Sequence, residues 1–319
     1  MRIAIVGKWW SGKTTISALL ASYFSELKLN PLLIDADLNI HLPSLFIKDW
    51  EFPNEKYLSS PDNTEKIKTY LKGQNDRITS LVTFRKTTPP TEKSQFFVLR
   101  DHENYLYQFA EKVNQLALMV VWSYRGEEIW ASCYHNNLAI LENLLSHMDD
   151  QGAVAIVDMV AGVDAFASSL HAQFDMLLLV VEPTKKGIEV WNQYAQLAKD
   201  AGVENQLFVI GNKCFDKEDE RFLQSFLPTE KLLGTMWISS YLRALEKNWN
   251  LISFSSLEEQ FQPLFSSLAE KAKSLEQPLN VRLQKLYTLH RKYVAQAFIK
   301  ERFWDLTGQI DETFSFESL

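Results

Sequence analysis

Residues Gly7-Lys8-Trp9-Trp10-Ser11-Gly12-Lys13-Thr14-Thr15 follow a short run of strand type, Arg2-Ile3-Ala4-Ile5-Val6, and open a stretch from about 13 to 28 whose apolar residues recur at three- and four-residue spacing. The order is strand, turn, helix, and the turn matches G-x-x-x-x-G-K-[ST]. Gly7 and Gly12 allow a tight turn and close approach of backbone to a ligand. Successive N–H groups and the helix N-terminus then point at anionic oxygens. Lys13 adds a point charge at β- and γ-phosphates, the Thr14 hydroxyl suits Mg²⁺, and Ser11 and Thr15 complete the residues within reach. This predicts a triphosphate site; the alternative, a chance glycine turn before a helix, has to explain four matched positions in the right context.

The rest of the chain agrees with that local reading. Apolar runs at 2–6, 31–35, 116–121, 153–158, 176–182 and 207–211 alternate with helical stretches at about 13–28, 136–148, 186–201 and 257–275. Repeated strand–helix units of this kind predict an α/β fold, a mainly parallel, doubly wound sheet flanked by helices. With 319 residues, 46% of them hydrophobic, the chain can bury a large core. Residues 48–98 are polar and broken by Pro53, Pro61, Pro89 and Pro90, which predicts an insertion with a small core contribution. The expected organisation is a domain over 1–277 containing this insertion, followed by a C-terminal helical extension over 278–319.

Several function classes are disfavoured by composition. A net charge of −7 argues against general nucleic-acid binding. Two cysteines, Cys133 and Cys214, are too few for a disulfide framework and suit a reducing, cytoplasmic setting. The start of the chain has the pattern of a buried strand rather than a signal peptide. No apolar run approaches the roughly 18–20 residues of an integral membrane segment; the longest, 176–181, is flanked by Asp175 and Glu182.

Three carboxylates lie where strands end. Asp35 and Asp37 close the second apolar run, in Leu32-Leu33-Ile34-Asp35-Ala36-Asp37-Leu38-Asn39, and Asp158 closes the run Val154-Ala155-Ile156-Val157 before Met159-Val160-Ala161-Gly162. The C-terminal edge of a parallel sheet is where such folds bind ligands. A helix- or turn-capping role for Asp35 or Asp37 is the plainer alternative. Another run, Leu207-Phe208-Val209-Ile210-Gly211, ends in Asn212-Lys213.

Lys8, one residue after the first glycine, is not needed by an ordinary phosphate loop. Gly7-Lys8 through Thr15 resembles the deviant Walker A loop of the MinD/ParA class of P-loop ATPases, which also includes the arsenite-pump ATPase and the nitrogenase iron protein. The resemblance implies ATP as ligand and an ATP-dependent homodimer in which Lys8 reaches the partner's nucleotide; an exposed loop lysine is the alternative. It implies a switch I in which Asp37 activates the attacking water while Asp35 supports Mg²⁺. It further implies that Asp158 holds the Mg²⁺ water shell, that the Gly162 N–H senses the γ-phosphate, and that Asn212 and Lys213 read the base. Lys8, Lys13 and Asp37 would then be catalytic. The sequence departs from the family at Trp9 and Trp10, where glycines are usual. These indoles must adopt ordinary backbone angles or carry strain, and they either pack locally or anchor a dimer contact.

Asp158-Met159-Val160-Ala161-Gly162-Val163-Asp164 and Val181-Glu182-Pro183-Thr184 resemble CooC-type ATPases of carbon monoxide dehydrogenase maturation, which insert nickel. Those carry a C-x-C metal pair, and the corresponding place here reads Cys133-Tyr134-His135. Two copies of Cys133 and His135 would make a Cys₂His₂ set for Zn²⁺ or Ni²⁺ at a dimer interface, against a purely structural role. His171 is either a sensor of switch II or a packing residue. From Asn280 to Asp305, apolar and basic residues mark one helix that lies on the protein's own core, on an anionic membrane or on a partner. The expected function is a Mg-ATP-dependent dimeric switch assisting maturation of a client metalloprotein. Alternatives are a MinD/ParA-like positioning or partition ATPase bound to membrane or DNA, and a nucleotide-binding regulator with little turnover.

Overall fold

The computed structural model describes residues 1–48, 52–122, 134–166, 169–248 and 250–316, with backbone alone for 54 and 134–137. Ten strands occur among these residues: β1 (Arg2–Gly7), β2 (Leu32–Ala36), β3 (Phe97–Val98), β4 (Glu111–Val113), β5 (Leu116–Val120), β6 (Met148–Asp149), β7 (Ala155–Met159), β8 (Met176–Val181), β9 (Leu207–Cys214) and β10 (Leu232–Trp237). The helices are α1 (Lys13–Glu26), α2 (Pro61–Lys72), α3 (Tyr134–Ser146), α4 (Lys185–Asp200), α5 (Lys217–Phe226), α6 (Ser240–Asn248), α7 (Gln262–Ser274), α8 (Leu279–Val294) and α9 (Ala297–Phe303).

The main sheet runs β10-β9-β8-β1-β7-β2-β5-β4. All its pairings are parallel except β4 with β5, a hairpin at one edge. The parallel strands β1, β2, β7 and β8 are buried at every position, as both faces of the sheet are covered. Alternation divides their side chains between two layers. Ile3 and Ile5 of β1 pack with Ile16, Leu19 and Leu20 of α1 and Phe265 and Leu268 of α7. Ala4 and Val6 face Leu141 and Leu144 of α3 and Trp191 and Tyr194 of α4. The chain leaves central β1 for β2 on one side and returns to β8 on the other, so the strand order reverses at the end of β1, where a doubly wound sheet opens a crevice.

The insertion differs from expectation. Leu58, Ile67, Leu71, Ile78, Phe84 and Phe97 are all fully or almost fully buried within the main core, so the segment is a structural layer over α3 rather than a polar excursion. Its apolar residues are thinly spaced among charges, and only their packing with α3 and the sheet makes the pattern visible. The expected single C-terminal helix is two, α8 and α9, with the break at residues 295–296. They lie on the protein's own surface. Leu283 and Tyr287 meet Phe96, Ile310 and Phe314, each apolar side chain buried this way contributing about 1.5–3 kcal/mol before entropy. His290 bonds Thr87 Oγ1 at 3.0 Å, and Gln309 accepts from Thr88 Oγ1 at 2.8 Å, tying the tail to the insertion.

A charged cluster joins the tail to the sheet. Arg2 and Arg282, both buried, share Asp150 and Asp175. Burial works to raise the Asp150 carboxyl, but Arg2, the terminal amine and Arg282 outweigh it and hold the group at about 2. No helix among the described residues is long and apolar enough to cross a membrane.

Candidate nucleotide-binding site

The loop after β1 closes on one carbonyl. Lys8 O accepts from Ser11 N at 3.3 Å, Ser11 Oγ at 2.9 Å and Lys13 Nζ at 3.4 Å. Both bracketing glycines are required sterically. At Gly7 (φ +148°) a Cβ would lie 2.7 Å from Val180 O, and at Gly12 (φ +95°) it would lie 2.1 Å from Asn212 Nδ2. Gly12 is the N-cap of α1 and offers no side-chain cap, and the first turn holds no acid, so the helix N-terminus is free to receive an anion. Thr14 and Thr15 are half-buried in that turn.

Lys13 is 5% exposed, with Nζ 3.6 Å from Asp37 Oδ2. Lys8 is exposed. Trp9 and Trp10 are 55% and 83% exposed, so local packing covers little of Trp10 and less than half of Trp9. Trp10 sits at φ +66°, so strain falls on this position, on the order of 1–3 kcal/mol, and Trp9 avoids the left-handed region.

Adjacent strands bring the acids together. In the β2–β7 register Asp35 stands opposite Asp158, both fully buried. Asp35 spends its oxygens on the loop that follows, accepting from Asp37 N at 3.0 Å and Leu42 N at 3.1 Å. Burial and the facing Asp158 raise its carboxyl well above the usual range. Asp37 accepts from Asn39 N at 3.1 Å with its other oxygen. Asp158 Oδ1 accepts from Ser17 Oγ at 3.1 Å, and the Thr14 hydroxyl lies near enough to favour the ionised carboxylate. Its Oδ2 is buried without a hydrogen-bond partner. Burial raises Asp158 to about 6, against the pull of Lys13 and the Thr14 hydroxyl.

Asn212 and Lys213 both turn back on the loop. Asn212 Nδ2 donates to Ser11 O at 2.7 Å, and Lys213, in the left-handed region at φ +59°, bonds the Trp10 carbonyl and pairs with Glu182 at 2.8 Å. Asn212 keeps its amide oxygen for a second partner. Gly162 (φ +122°) is exposed in the loop after β7, and its carbonyl accepts from the hydroxyl of buried Tyr194 on α4. Sequence reasoning missed Ser17 and Tyr194. Ser17 lies three and four residues after Thr14 and Lys13, on the same helix face, which is a usable signal; a tyrosine on an amphipathic helix carries none.

The remaining sequence candidates lie elsewhere. His171 is a buried packing residue in a 3-10 turn that meets α8, with Nδ1 unpartnered. Cys133 lies outside the described residues, as does the side chain of His135. No group of three or more metal-ligating side chains gathers among the described residues.

A parallel sheet whose central strand feeds a lysine-bearing loop, with carboxylates from two neighbouring strands converging on it, has the fold of the MinD/ParA class of P-loop proteins. In sequence the chain is similar to CooC and to ATP-binding proteins. It is 24% identical over 248 residues to the carbon monoxide dehydrogenase accessory protein CooC of Rhodospirillum rubrum, covering 77% of this chain and 87% of CooC. It is 27% identical over 242 residues to an uncharacterized ATP-binding protein of Methanocaldococcus jannaschii, covering 76% of this chain and 85% of that protein. No protein-family model matches the chain. Among solved structures, a plasmid partition protein of Borrelia burgdorferi bound to AMPPNP superposes with a TM-score of 0.53 at 17% identity, covering 85% of this chain and 97% of that one. A ParA family ATPase from Chlorobium tepidum gives 0.51 at 13% identity, covering 85% and 98%. The α/β fold, the mainly parallel doubly wound sheet and the resemblance expected from the sequence are thereby met.

Proposed function

We propose that this protein is a cytoplasmic Mg-ATP-dependent ATPase switch that closes as a homodimer and assists maturation of a client metalloprotein. The observation that carries the reading is the convergence of Lys13, Asp37 and the free Asp158 Oδ2 beneath an uncapped helix N-terminus. Mg²⁺ fits the donor set: the half-buried Thr14 hydroxyl and an orphaned buried carboxylate oxygen are hard ligands, with Asp35 one strand away. When bound, the ion would neutralise charge on the β- and γ-phosphates. Gly7, Ser11, Gly12 and Thr15 shape and line the cradle, and Lys13 steadies the phosphates. Asp37, released from Lys13 by an incoming phosphate, orients water. Gly162 presents its N–H to the γ-phosphate, and Asn212 and Lys213 meet the base.

Lys8 and the two exposed indoles are assigned to the partner copy. An exposed lysine has its side chain free for a neighbouring nucleotide, and Trp9 with Trp10 offers a large apolar anchor beside it. Similarity to CooC supports a metalloprotein client, and Cys133 with His135 is the site proposed for Zn²⁺ or Ni²⁺ between subunits. A second reading, a nucleotide-binding regulator with little turnover, is favoured by the strain at Trp10. Steady-state ATP hydrolysis, oligomeric state with and without Mg-ATP, and metal content beside Cys133→Ser test the proposal. Hydrolysis lost in Lys13→Ala and a dimer lost in Lys8→Ala are expected. Turnover equal to that of Lys13→Ala moves the choice to the regulator, and unchanged metal content in Cys133→Ser removes the metal site.

A further inference from the structure

The side chain of Tyr194 is buried, yet its hydroxyl stands between the two loops that flank the phosphate site. It donates to the Gly162 carbonyl in the loop after β7. The Gly7 backbone, at the first residue of the phosphate loop, lies near enough to act electrostatically on the same oxygen. The ring is held edge-on to Phe166, 5.6 Å between centroids, so the loop after β7 grips the tyrosine at two points, Gly162 and Phe166. The helix that carries it is anchored at the sheet. Thr184 caps α4 through Gly187 N at 3.1 Å, and a Cβ on Gly187 would meet Glu182 O at 2.2 Å. Tyr194 is therefore a fixed post rather than a mobile side chain.

Gly162, by contrast, has no side chain to fix it and sits at φ +122° in an exposed loop. A glycine there is conformationally free, and ordering it costs more entropy than ordering any other residue. A hydrogen bond to its carbonyl fixes the following peptide and narrows the directions open to its own N–H. We propose that Tyr194 is a positioning residue that pre-orders the Gly162 loop against the phosphate loop and thereby sets the preference for nucleoside triphosphate over diphosphate. This inference rests on the nucleotide-site reading above. The diphosphate is gripped by the phosphate loop and Lys13, and Gly7 at the root of that loop stays fixed by its pairing with Val180 of β8, so the γ-phosphate contact is the one that depends on the tether.

The test is Tyr194→Phe, which keeps the ring and its packing on Phe166 and removes one oxygen. Affinities for ATP and ADP are measured with Mg²⁺ by calorimetry on the full chain. The expected result is a fall in ATP affinity of about three- to tenfold, the loss of one net hydrogen bond, with ADP affinity changed less than about twofold. Hydrogen exchange over residues 160–166 should also accelerate in the variant without nucleotide, while the amides of β1 and β8 keep their protection. Equal losses for ATP and ADP, an unchanged or increased ATP preference, or unchanged exchange at 160–166 would overturn the inference. Failure of the unaltered protein to bind either nucleotide would refute the nucleotide-site reading as well, and so is distinguishable from failure of the tether alone.

Discussion

Gly12→Ala offers a perturbation whose cost can be assembled from the geometry before it is measured. The new methyl group meets two separate obstacles. At φ +95° and ψ 19° the backbone is in the left-handed region, which costs an L-residue about 1–2 kcal/mol. The Cβ also lies 2.1 Å from Asn212 Nδ2, far inside contact, so Asn212 must rotate away and give up its 2.7 Å bond to Ser11 O. That bond is worth about 1 kcal/mol net. Gly12→Ala should therefore destabilise by about 2–3 kcal/mol. Asn212→Ala alone should cost about 1 kcal/mol. Because the hydrogen bond can be lost only once, the double variant should resemble Gly12→Ala, leaving a coupling of about 1 kcal/mol between the sites. Urea unfolding of the four proteins measures the cycle, and folding stability keeps the result independent of any contact Asn212 makes to a base. Additive costs would refute the view that Asn212 buttresses the phosphate loop. A single-variant cost near zero at Gly12 would refute the steric argument itself.

Three further outcomes follow from the charges. Asp158 has a folded-state value raised to about 6 from an ordinary 3.8, so its protonated form favours folding: stability is highest below about 4 and declines as pH rises through 6. Mg-ATP needs the ionised form, so affinity should rise about tenfold per pH unit up to 6 and then level, and Asp158→Asn should flatten the profile measured by titration. Replacing Arg282, which donates to Asp175 Oδ1 at 3.0 Å and Gln173 O at 2.7 Å, by Met deprives the buried Asp175 carboxylate of its paired cation and the Gln173 carbonyl of that donor, and should cost about 3 kcal/mol in urea unfolding. His290 is lowered to about 4 by burial, so it contributes stability fully above 6.5 that is lost as pH falls toward 4. The amount is about 3 kcal/mol, and His290→Gln should remove that part of the acid dependence.

The fold was largely legible because the central strands are covered on both faces. Unbroken apolar runs such as 176–182 have no other economical reading, and they correspond to β1, β2, β5, β7 and β8 within a residue or two, while β9 runs three residues beyond its run, to Cys214. The strands that went unread are those for which that physics is weak. β10 is only half-buried along most of its length and holds Gly234, and β4 is three residues at an edge. Helix α2 was obscured because Ile67 and Leu71 stand among lysines and glutamate, their burial depending on packing against Leu141 and Leu144 of α3, far along the chain. The site divides in the same way. Gly7 through Thr15 is contiguous and self-announcing. Opposition of Asp35 and Asp158 needs a strand register, and the Tyr194 bond to Gly162 needs the packing of α4, neither of which leaves a local pattern.

The central claim is that the loop after β1 grips a triphosphate through backbone amides and Lys13. Equilibrium titration of the purified chain with ATP, with and without Mg²⁺, beside Lys13→Ala, tests it most directly. Saturable binding strengthened by Mg²⁺ and weakened at least about tenfold by the substitution, the loss of a charge-assisted contact, is the predicted result. Absence of binding, or binding indifferent to Lys13, would contradict it.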